Sequence, residues 1–186
     1  MPGTIYFDLE TQRSFGDVGG AANKGKMGMS VGVTFSTETG KYQIYGEDEV
    51  EALVDQLIRA DLVVGYNHIN FDYSVLQGYT IYDLPNLTAN CDMLVELEKV
   101  LGHRLKLDSV ASATLGVGKT ADGLDALRWW QAYKKSGDAD YMMKIAEYCC
   151  YDVKVTKEVH EYATTHGHLK YNDRGGHLQE IDVNFS

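Results

Sequence analysis

Four acidic residues and one tyrosine occur in three short stretches whose spacing could bring their side chains together. Asp8 and Glu10 lie two residues apart in the stretch FDLET. In a β-strand, residues i and i+2 point to the same face, so these carboxylates would project side by side. Asp72 ends the stretch GYNHINFD. Tyr148 precedes Asp152 by four residues in YCCYD, which would place the phenol and the carboxylate on one face of a helix.

Each stretch alone also has an ordinary structural explanation. Asp8 and Glu10 could belong to a solvated strand face, and Asp72 could stabilise the first turn of a helix near a cap at Asn70. Tyr148 could be a core tyrosine with an acid beside a buried stripe. For each stretch taken alone, the structural explanation is the more frequent one.

Carboxylates gathered at one point would need cations. Two of them about 4 Å apart repel by about 4 kcal/mol at an effective dielectric constant of about 20. Mg²⁺ and Mn²⁺ prefer hard oxygen ligands, and two such ions about 4 Å apart can clamp the attacking and leaving oxygens of an in-line displacement. An ordinary phenol has a pKa of about 10, so Tyr148 is expected to orient the attacking water rather than to take its proton.

The elements that must position these residues are predicted from hydrophobic patterns. Apolar or alternating runs predict strands or extended segments at 5–10, 29–35, 42–45, 62–66 and 86–92. Apolar spacings of three and four residues predict helices at 47–59, 71–77, 93–101, 107–115, 124–134 and 138–164. A Gly-rich loop occupies 12–26, and a small hairpin is expected within 169–185.

This order of elements is typical of an α/β fold with an RNase H-like (DnaQ-like) mixed five-stranded sheet flanked by helices. The chain has 186 residues, of which 44% are hydrophobic, which suits one domain at 1–165 and a tail at 166–186. No apolar run approaches the roughly 20 residues that a membrane span needs, and the N-terminus does not resemble a signal peptide. We therefore expect a soluble, intracellular (cytoplasmic) protein with no membrane partner.

The net charge bears on whether the protein binds nucleic acid. The net charge of −10 argues against tight non-specific binding to nucleic acid, but acids that hold cations attract phosphate through those cations. A nuclease therefore remains compatible with the composition.

An odd number of cysteines without a CxxC pair predicts reduced thiols rather than a zinc site, at Cys91, Cys149 and Cys150. The histidines outside the motifs are expected at the surface, namely His160, His166, His168 and His177.

Together, FDLET, GYNHINFD and YCCYD resemble the motifs Exo I, Exo II and Exo III of the DEDD 3′-to-5′ exonucleases. Tyr148, where another branch has histidine, matches the DEDDy branch. The resemblance spans residues 5–155 and is strongest to the proofreading domain of family B DNA polymerases, to which the stretch RLKLDSV at 104–110 is also similar. Exonuclease-like domains associated with helicases are similar as well.

The resemblance implies a two-metal 3′-to-5′ exonuclease that hydrolyses phosphodiester bonds and releases nucleoside monophosphates. Asp8 would bridge two Mg²⁺ or Mn²⁺ ions, Glu10 and Asp152 would serve the ion that activates water, and Asp72 would reach the other ion largely through water. The implied substrate is nucleic acid, with single-stranded DNA favoured over RNA. A helicase or another replication or repair protein is a further implied partner.

The candidates for substrate binding are Thr11, Asn67, Phe71 and Lys106. The Asn67 amide could bind the substrate backbone and the Phe71 ring could stack on a terminal base, although a loop-fixing Asn and a core Phe fit equally well. Other basic residues could reach phosphates but are more often solvated charges, namely Arg104, Lys119 and Arg128.

Two other functional classes fit the same pattern. One is a non-catalytic RNase H-like module that binds nucleic acid or protein, and the intact acids count against it. The other is a different nuclease, either an exoribonuclease or an RNase H-like endonuclease. The spacing of Tyr148 and Asp152 and the stretch GYNHINFD favour the exonuclease over the endonuclease.

Overall fold

The computed structural model describes residues 3–118 and 123–185, and a mixed five-stranded sheet lies at its centre. The strands are β1 (Thr4–Thr11), β2 (Met29–Ser36), β3 (Lys41–Tyr45), β4 (Leu62–Gly65) and β5 (Asn90–Asp92). They have the order β3-β2-β1-β4-β5. β1 pairs antiparallel with β2 and parallel with β4, so the strand that carries the first acidic motif is the central one. The predicted fold class is confirmed.

Helices cover both faces of this sheet and enclose two hydrophobic cores. The helices are α1 (Val50–Arg59), α2 (Asp72–Leu76), α3 (Leu84–Leu87), α4 (Met93–Leu101), α5 (Leu107–Leu115), α6 (Gly123–Ser136) and α7 (Ala139–His166). One core lies under α1 and α2, and the other lies under α4, α5 and α7.

Side chains alternate along β1, and this alternation determines which side of the sheet its acids face. Ile5, Phe7 and Leu9 are buried in the core under α1 and α2, whereas Tyr6 is buried in the core under α7. Because side chains alternate along a strand, Asp8 and Glu10 point to the α7 side, as Tyr6 does. Burying a Leu, Ile or Phe side chain stabilises the fold by roughly 1.5–3 kcal/mol, so a slip of one residue, which would exchange the faces, is strongly disfavoured.

The segment 86–92, predicted to be extended throughout, is only partly so. The short helix α3 occupies Leu84–Leu87, and the strand β5 is limited to Asn90–Asp92. Pro85 stands in the first turn of α3, where its missing N–H costs no helical hydrogen bond. Its fixed φ favours a helical start over an extended one.

Two smaller segments pack against the sheet and its helices. Strands β6 (His168–Asn172) and β7 (Leu178–Asp182) form an antiparallel hairpin whose Leu169 and Ile181 are buried in the core under α7. The Gly-rich loop ends in a 3₁₀ turn at Ala21–Lys26 that packs on α2. A Cβ on Gly78 would lie 2.0 Å from the carbonyl oxygen of Gly25, so only glycine permits this approach.

None of the helices in residues 3–118 and 123–185 combines the length and the apolarity that crossing a membrane requires.

Candidate active site

Three of the predicted acids meet between β1 and α7. Asp8, Glu10 and Asp152 each offer a carboxylate oxygen, and these oxygens all lie within 4.8 Å of one another. Asp8 and Glu10 are partly exposed, while Phe7 and Leu9 beside them are buried on the other face of β1. α7 packs directly on β1 and β2, and this packing carries Asp152 to the strand. The cluster thus joins residues more than 140 positions apart in the chain.

Asp72 reaches the same region from α2 but lies outside this group of three. Its Oδ1 accepts a hydrogen bond from the backbone N–H of Leu9 at 3.1 Å, and its side chain is buried. β1 and β4 pair only from Thr4 to Tyr6 on the β1 side, so Leu9 lies beyond the end of β4. The carboxylate of Asp72 therefore satisfies a strand N–H that β4 no longer reaches.

Burial and electrostatic repulsion raise the pKa values of the acids in this region. Burial raises the pKa of Asp8 well above its ordinary value, and the neighbouring Asp72, Asp152 and Glu10 raise it further. Burial and the same kind of repulsion raise the pKa of Glu10. Burial also raises the pKa of Asp72 to about 7, against the opposing effect of backbone hydrogen bonds such as that from Leu9. Without cations, the site thus holds protons that ordinary carboxyl groups would have lost.

The donor set fits divalent cations. Carboxylate oxygens are the ligands that Mg²⁺ and Mn²⁺ prefer, and a bound cation would relieve the repulsion that raises these pKa values. Asp8, Glu10 and Asp152 are the residues that would hold such an ion, because their oxygens already lie within 4.8 Å of one another. Asp72 would join them from the side of Leu9.

Tyr148 lies one helical turn before Asp152 on α7, and its hydroxyl hydrogen-bonds to the Asp152 carboxylate. Burial raises the pKa of Tyr148, and the charges of Asp152, Glu10 and Asp8 raise it further. The phenol therefore stays protonated at neutral pH. Tyr148 can donate a hydrogen bond at the site but cannot act there as a general base.

Cys149 also contacts the cluster, and its prediction as a reduced thiol did not include this contact. Its side chain is fully buried, and its Sγ lies 3.4 Å from both the carbonyl oxygen and Oδ2 of Asp8. Burial raises the pKa of the Cys149 thiol well above its ordinary value, and the charge of Asp8 raises it further. The protonated thiol can thus donate a weak hydrogen bond that helps to fix Asp8.

Asp92 is a buried acid that sequence reasoning missed. It caps α4 by accepting from the backbone N–H groups of Leu94 at 3.1 Å and Val95 at 3.3 Å. It also accepts from the N–H groups of Asn67 at 2.7 Å and Ile69 at 3.0 Å. One carboxylate therefore fixes the loop that leads from β4 to Asp72. An Asp before the apolar run of α4 signals a cap, but no local pattern signals its second contact.

The substrate-binding candidates fall into two groups. Asn67 and Lys106 line a cleft of about 530 Å³ together with Tyr148 and Asp152. Asn67 adopts a left-handed backbone (φ 69°), and its Oδ1 accepts a hydrogen bond of 2.7 Å from Arg104, which lines the same cleft. Lys106 is exposed at the start of α5.

Thr11 and Phe71 do not line this cleft. The Thr11 hydroxyl donates a hydrogen bond of 3.0 Å to the carbonyl oxygen of Arg13, and the Thr11 side chain is buried. Phe71 directly precedes α2, and its ring meets that of Phe15 edge to face at 5.8 Å. Arg128 forms an exposed ion pair with Asp125 at 2.9 Å, and Lys119 lies outside the described residues.

One histidine prediction was wrong. His160, expected at the surface, is fully buried, and its Nδ1 lies 3.0 Å from the hydroxyl of Tyr6. The ring of Phe185 stacks on it with centroids 6.0 Å apart. His160 follows Thr156 by four residues and Val153 by seven, so the helical spacing of α7 places it on the buried face.

Comparison with known proteins supports the fold and the type of site. A family model of the RNase H superfamily matches residues 5–164, which contain all four acids and Tyr148. No curated protein matches the sequence. A match to this superfamily, together with the acidic cluster, suggests a nuclease that works with divalent cations. The match extends over most of the sequence, and the chain therefore belongs to the RNase H superfamily.

Proposed function

We propose that this protein is a metal-dependent 3′-to-5′ exonuclease of the DEDDy type that acts on single-stranded nucleic acid, with DNA as the preferred substrate. The observation that carries the proposal is the meeting of Asp8, Glu10 and Asp152 within 4.8 Å, with Tyr148 one turn before Asp152. The resemblance of the three motifs to Exo I, Exo II and Exo III supports the 3′-to-5′ direction.

Each residue of the site has a distinct task in this reaction. Asp8, Glu10, Asp72 and Asp152 would hold two Mg²⁺ or Mn²⁺ ions, which supply charge stabilisation to the attacking and leaving oxygens of the scissile phosphate. Tyr148 is a neutral donor beside the Asp152 carboxylate, so it orients the attacking water without removing a proton. Release of nucleoside monophosphates, one at a time, is the expected outcome.

The cleft beside the site suits a nucleic-acid strand. Lys106 and Arg104 supply positive charge on its wall, and Asn67 supplies an amide that is held in place by Arg104. Phosphate oxygens bind such cations, and a neutral amide can bind sugar or phosphate groups. Phe71 and Phe15 provide an aromatic pair at the end of the loop from β4, on which a terminal base could stack.

The test uses one single strand labelled at its 3′ end and another labelled at its 5′ end, each incubated with Mg²⁺ or Mn²⁺. An exonuclease of this type releases the 3′ label at once as a mononucleotide and shortens the 5′-labelled strand stepwise. Internal fragments would indicate the endonuclease, and an intact but bound strand would indicate the non-catalytic module. Parallel DNA and RNA strands separate the exodeoxyribonuclease from the exoribonuclease.

Two variants test whether the acidic cluster is the catalytic site. Asp8→Ala is expected to abolish release of the label, because Asp8 is one of the three acids whose carboxylate oxygens lie within 4.8 Å of one another. Asp55→Ala is the matched control, since Asp55 is an exposed acid on α1 that pairs with the exposed Arg59 at 3.6 Å. Full activity of Asp8→Ala would disprove the assignment of the site.

A further inference from the structure

Two lysines on the α6–α7 hairpin are held over aromatic rings. The Nζ of Lys134 lies 5.8 Å from the ring centroid of Trp130, and the Nζ of Lys144 lies 5.3 Å from that of Tyr141. α6 ends at Ser136 and α7 begins at Ala139, so the two helices are antiparallel neighbours and the end of α6 lies beside the start of α7. We call Trp130, Lys134, Tyr141 and Lys144 the hairpin surface.

The hairpin surface adjoins the face of α7 that carries Tyr148 and Asp152. Lys144, Tyr148 and Asp152 are spaced by four residues, and such residues share one face of a helix. At about 1.5 Å of rise per residue, Lys144 lies about 6 Å from Tyr148 and about 12 Å from Asp152 along the axis. A strand that rises about 3.4 Å per nucleotide, as in a duplex, covers about 12 Å in roughly four nucleotides, and a more extended strand needs fewer.

The lysines of the hairpin surface differ from other lysines of α7 in their ion pairing. Within residues 3–118 and 123–185, neither Lys134 nor Lys144 forms an ion pair, although Asp140 and Glu147 stand one turn to either side of Lys144. Other lysines of α7 behave differently. Lys154 pairs with Glu158 at 3.8 Å, and Lys157 pairs with Glu161 at 2.7 Å.

We propose that the hairpin surface binds the phosphate backbone of the single strand whose 3′ end occupies the acidic site, a few nucleotides away from the scissile bond. This inference rests on the proposed function and adds the course of the strand. Sites for single strands combine cations with aromatic rings, and here the rings of Trp130 and Tyr141 also restrict where the two ammonium groups can lie. The two lysines offer ordered positive charge in a chain of net charge −10.

The experiment compares the wild-type protein with Lys134→Ala combined with Lys144→Ala. Lys154→Ala is the matched control, because Lys154 is two residues beyond Asp152 and so lies on the opposite side of α7. A second double variant, with both lysines replaced by arginine, keeps the charges. For each protein, kcat/KM is measured at several salt concentrations on a dinucleotide and on a single strand of about 20 nucleotides.

The double alanine variant is expected to lose activity only on the longer strand. Loss of one phosphate contact lowers the slope of log affinity against log salt by about 0.7, which is roughly four-fold in affinity at physiological salt. Two lost contacts thus predict a kcat/KM lower by roughly 15-fold, through KM, and a slope smaller by about 1.4. The dinucleotide, the arginine variant and Lys154→Ala should behave as the wild type does.

Other results would overturn the inference. Unchanged kinetics of the double alanine variant on the longer strand would show that the hairpin surface does not touch the substrate. Equal losses on the strand and the dinucleotide would show a damaged site instead. If the wild type cleaves neither substrate, the proposed function fails, and binding of a labelled strand in the presence of Ca²⁺ then decides the inference. Unchanged binding by the double alanine variant would refute it as well.

Discussion

Asp72→Asn removes one charge from the acidic site while it keeps the local hydrogen bond. The amide Oδ1 of an asparagine can still accept from the backbone N–H of Leu9, which lies 3.1 Å from the carboxylate in the wild type. The variant therefore isolates the electrostatic cost of the buried carboxylate. We expect the metal-free variant to be more stable than the metal-free wild type at alkaline pH.

The size of the effect follows from the pKa of Asp72, which burial raises from 3.8 to about 7. Because the folded pKa is the higher one, the folded state binds more protons than the unfolded state, and wild-type stability falls as the pH rises through this window. A difference of about 3 pKa units lowers the free energy of unfolding of the wild type by about 4 kcal/mol above about pH 8. Near pH 4 the same carboxyl group lowers it by only about 0.5 kcal/mol.

The assay is urea or thermal unfolding in EDTA at about pH 4 and about pH 8. For a domain of this size, about 4 kcal/mol corresponds to a rise in Tm of roughly 8–16 °C at the higher pH. Asp55→Asn, an exposed acid on α1, is the control and should change little at either pH. Added Mg²⁺ should narrow the gap, because cations stabilise the wild-type site.

Two results would refute this reasoning. Equal stability of the variant and the wild type near pH 8 would mean that the Asp72 carboxylate is not destabilised by its surroundings. An equal gain at both pH values would mean that the effect comes from packing rather than charge.

Three further outcomes are expected. Tyr148→Phe should lower kcat by roughly 10–100-fold with little change in KM, because it removes a donor that orients water, and the variant should still be stabilised by Mg²⁺ in thermal unfolding. Asp92→Ala should lower the free energy of unfolding in urea by roughly 2–4 kcal/mol, since four backbone N–H groups lose their acceptor, whereas a wild-type value would contradict the role of Asp92. Burial raises the pKa of all three thiols, so their exposure decides the order of reaction: a thiol reagent should modify the partly exposed Cys150 in the folded protein, and the buried Cys91 and Cys149 only after unfolding.

The parts of the site that depend on local periodicity could be predicted from the sequence. The shared direction of Asp8 and Glu10 follows from the alternation of β1, and that of Tyr148 and Asp152 follows from the turn of α7. Both patterns are contained within a few residues. The motif order then supplied the expectation that Asp72 belongs to the same region.

The missed parts depend on contacts between distant segments. Asp92 fixes a loop more than twenty residues before it, and no periodic pattern records that contact. His160 lies on the inward face of α7, but its partners there, Tyr6 and Phe185, come from distant segments. Cys149 contacts Asp8 only because α7 crosses β1 at that point. A local pattern predicts an element and its faces, but it does not predict which residue of another segment contacts that element.

The early end of β4 makes the position of Asp72 depend on the length of a strand that carries no catalytic residue. Pairing between β1 and β4 stops at Tyr6 and Val64, which leaves the N–H of Leu9 for the Asp72 carboxylate. A chain with β4 lengthened by insertion would offer backbone carbonyls to that N–H and displace the acid. Tolerance to insertions and deletions should therefore be lower between Gly65 and Asp72 than in the exposed turn after β2, even for insertions that leave every acid of the site in place.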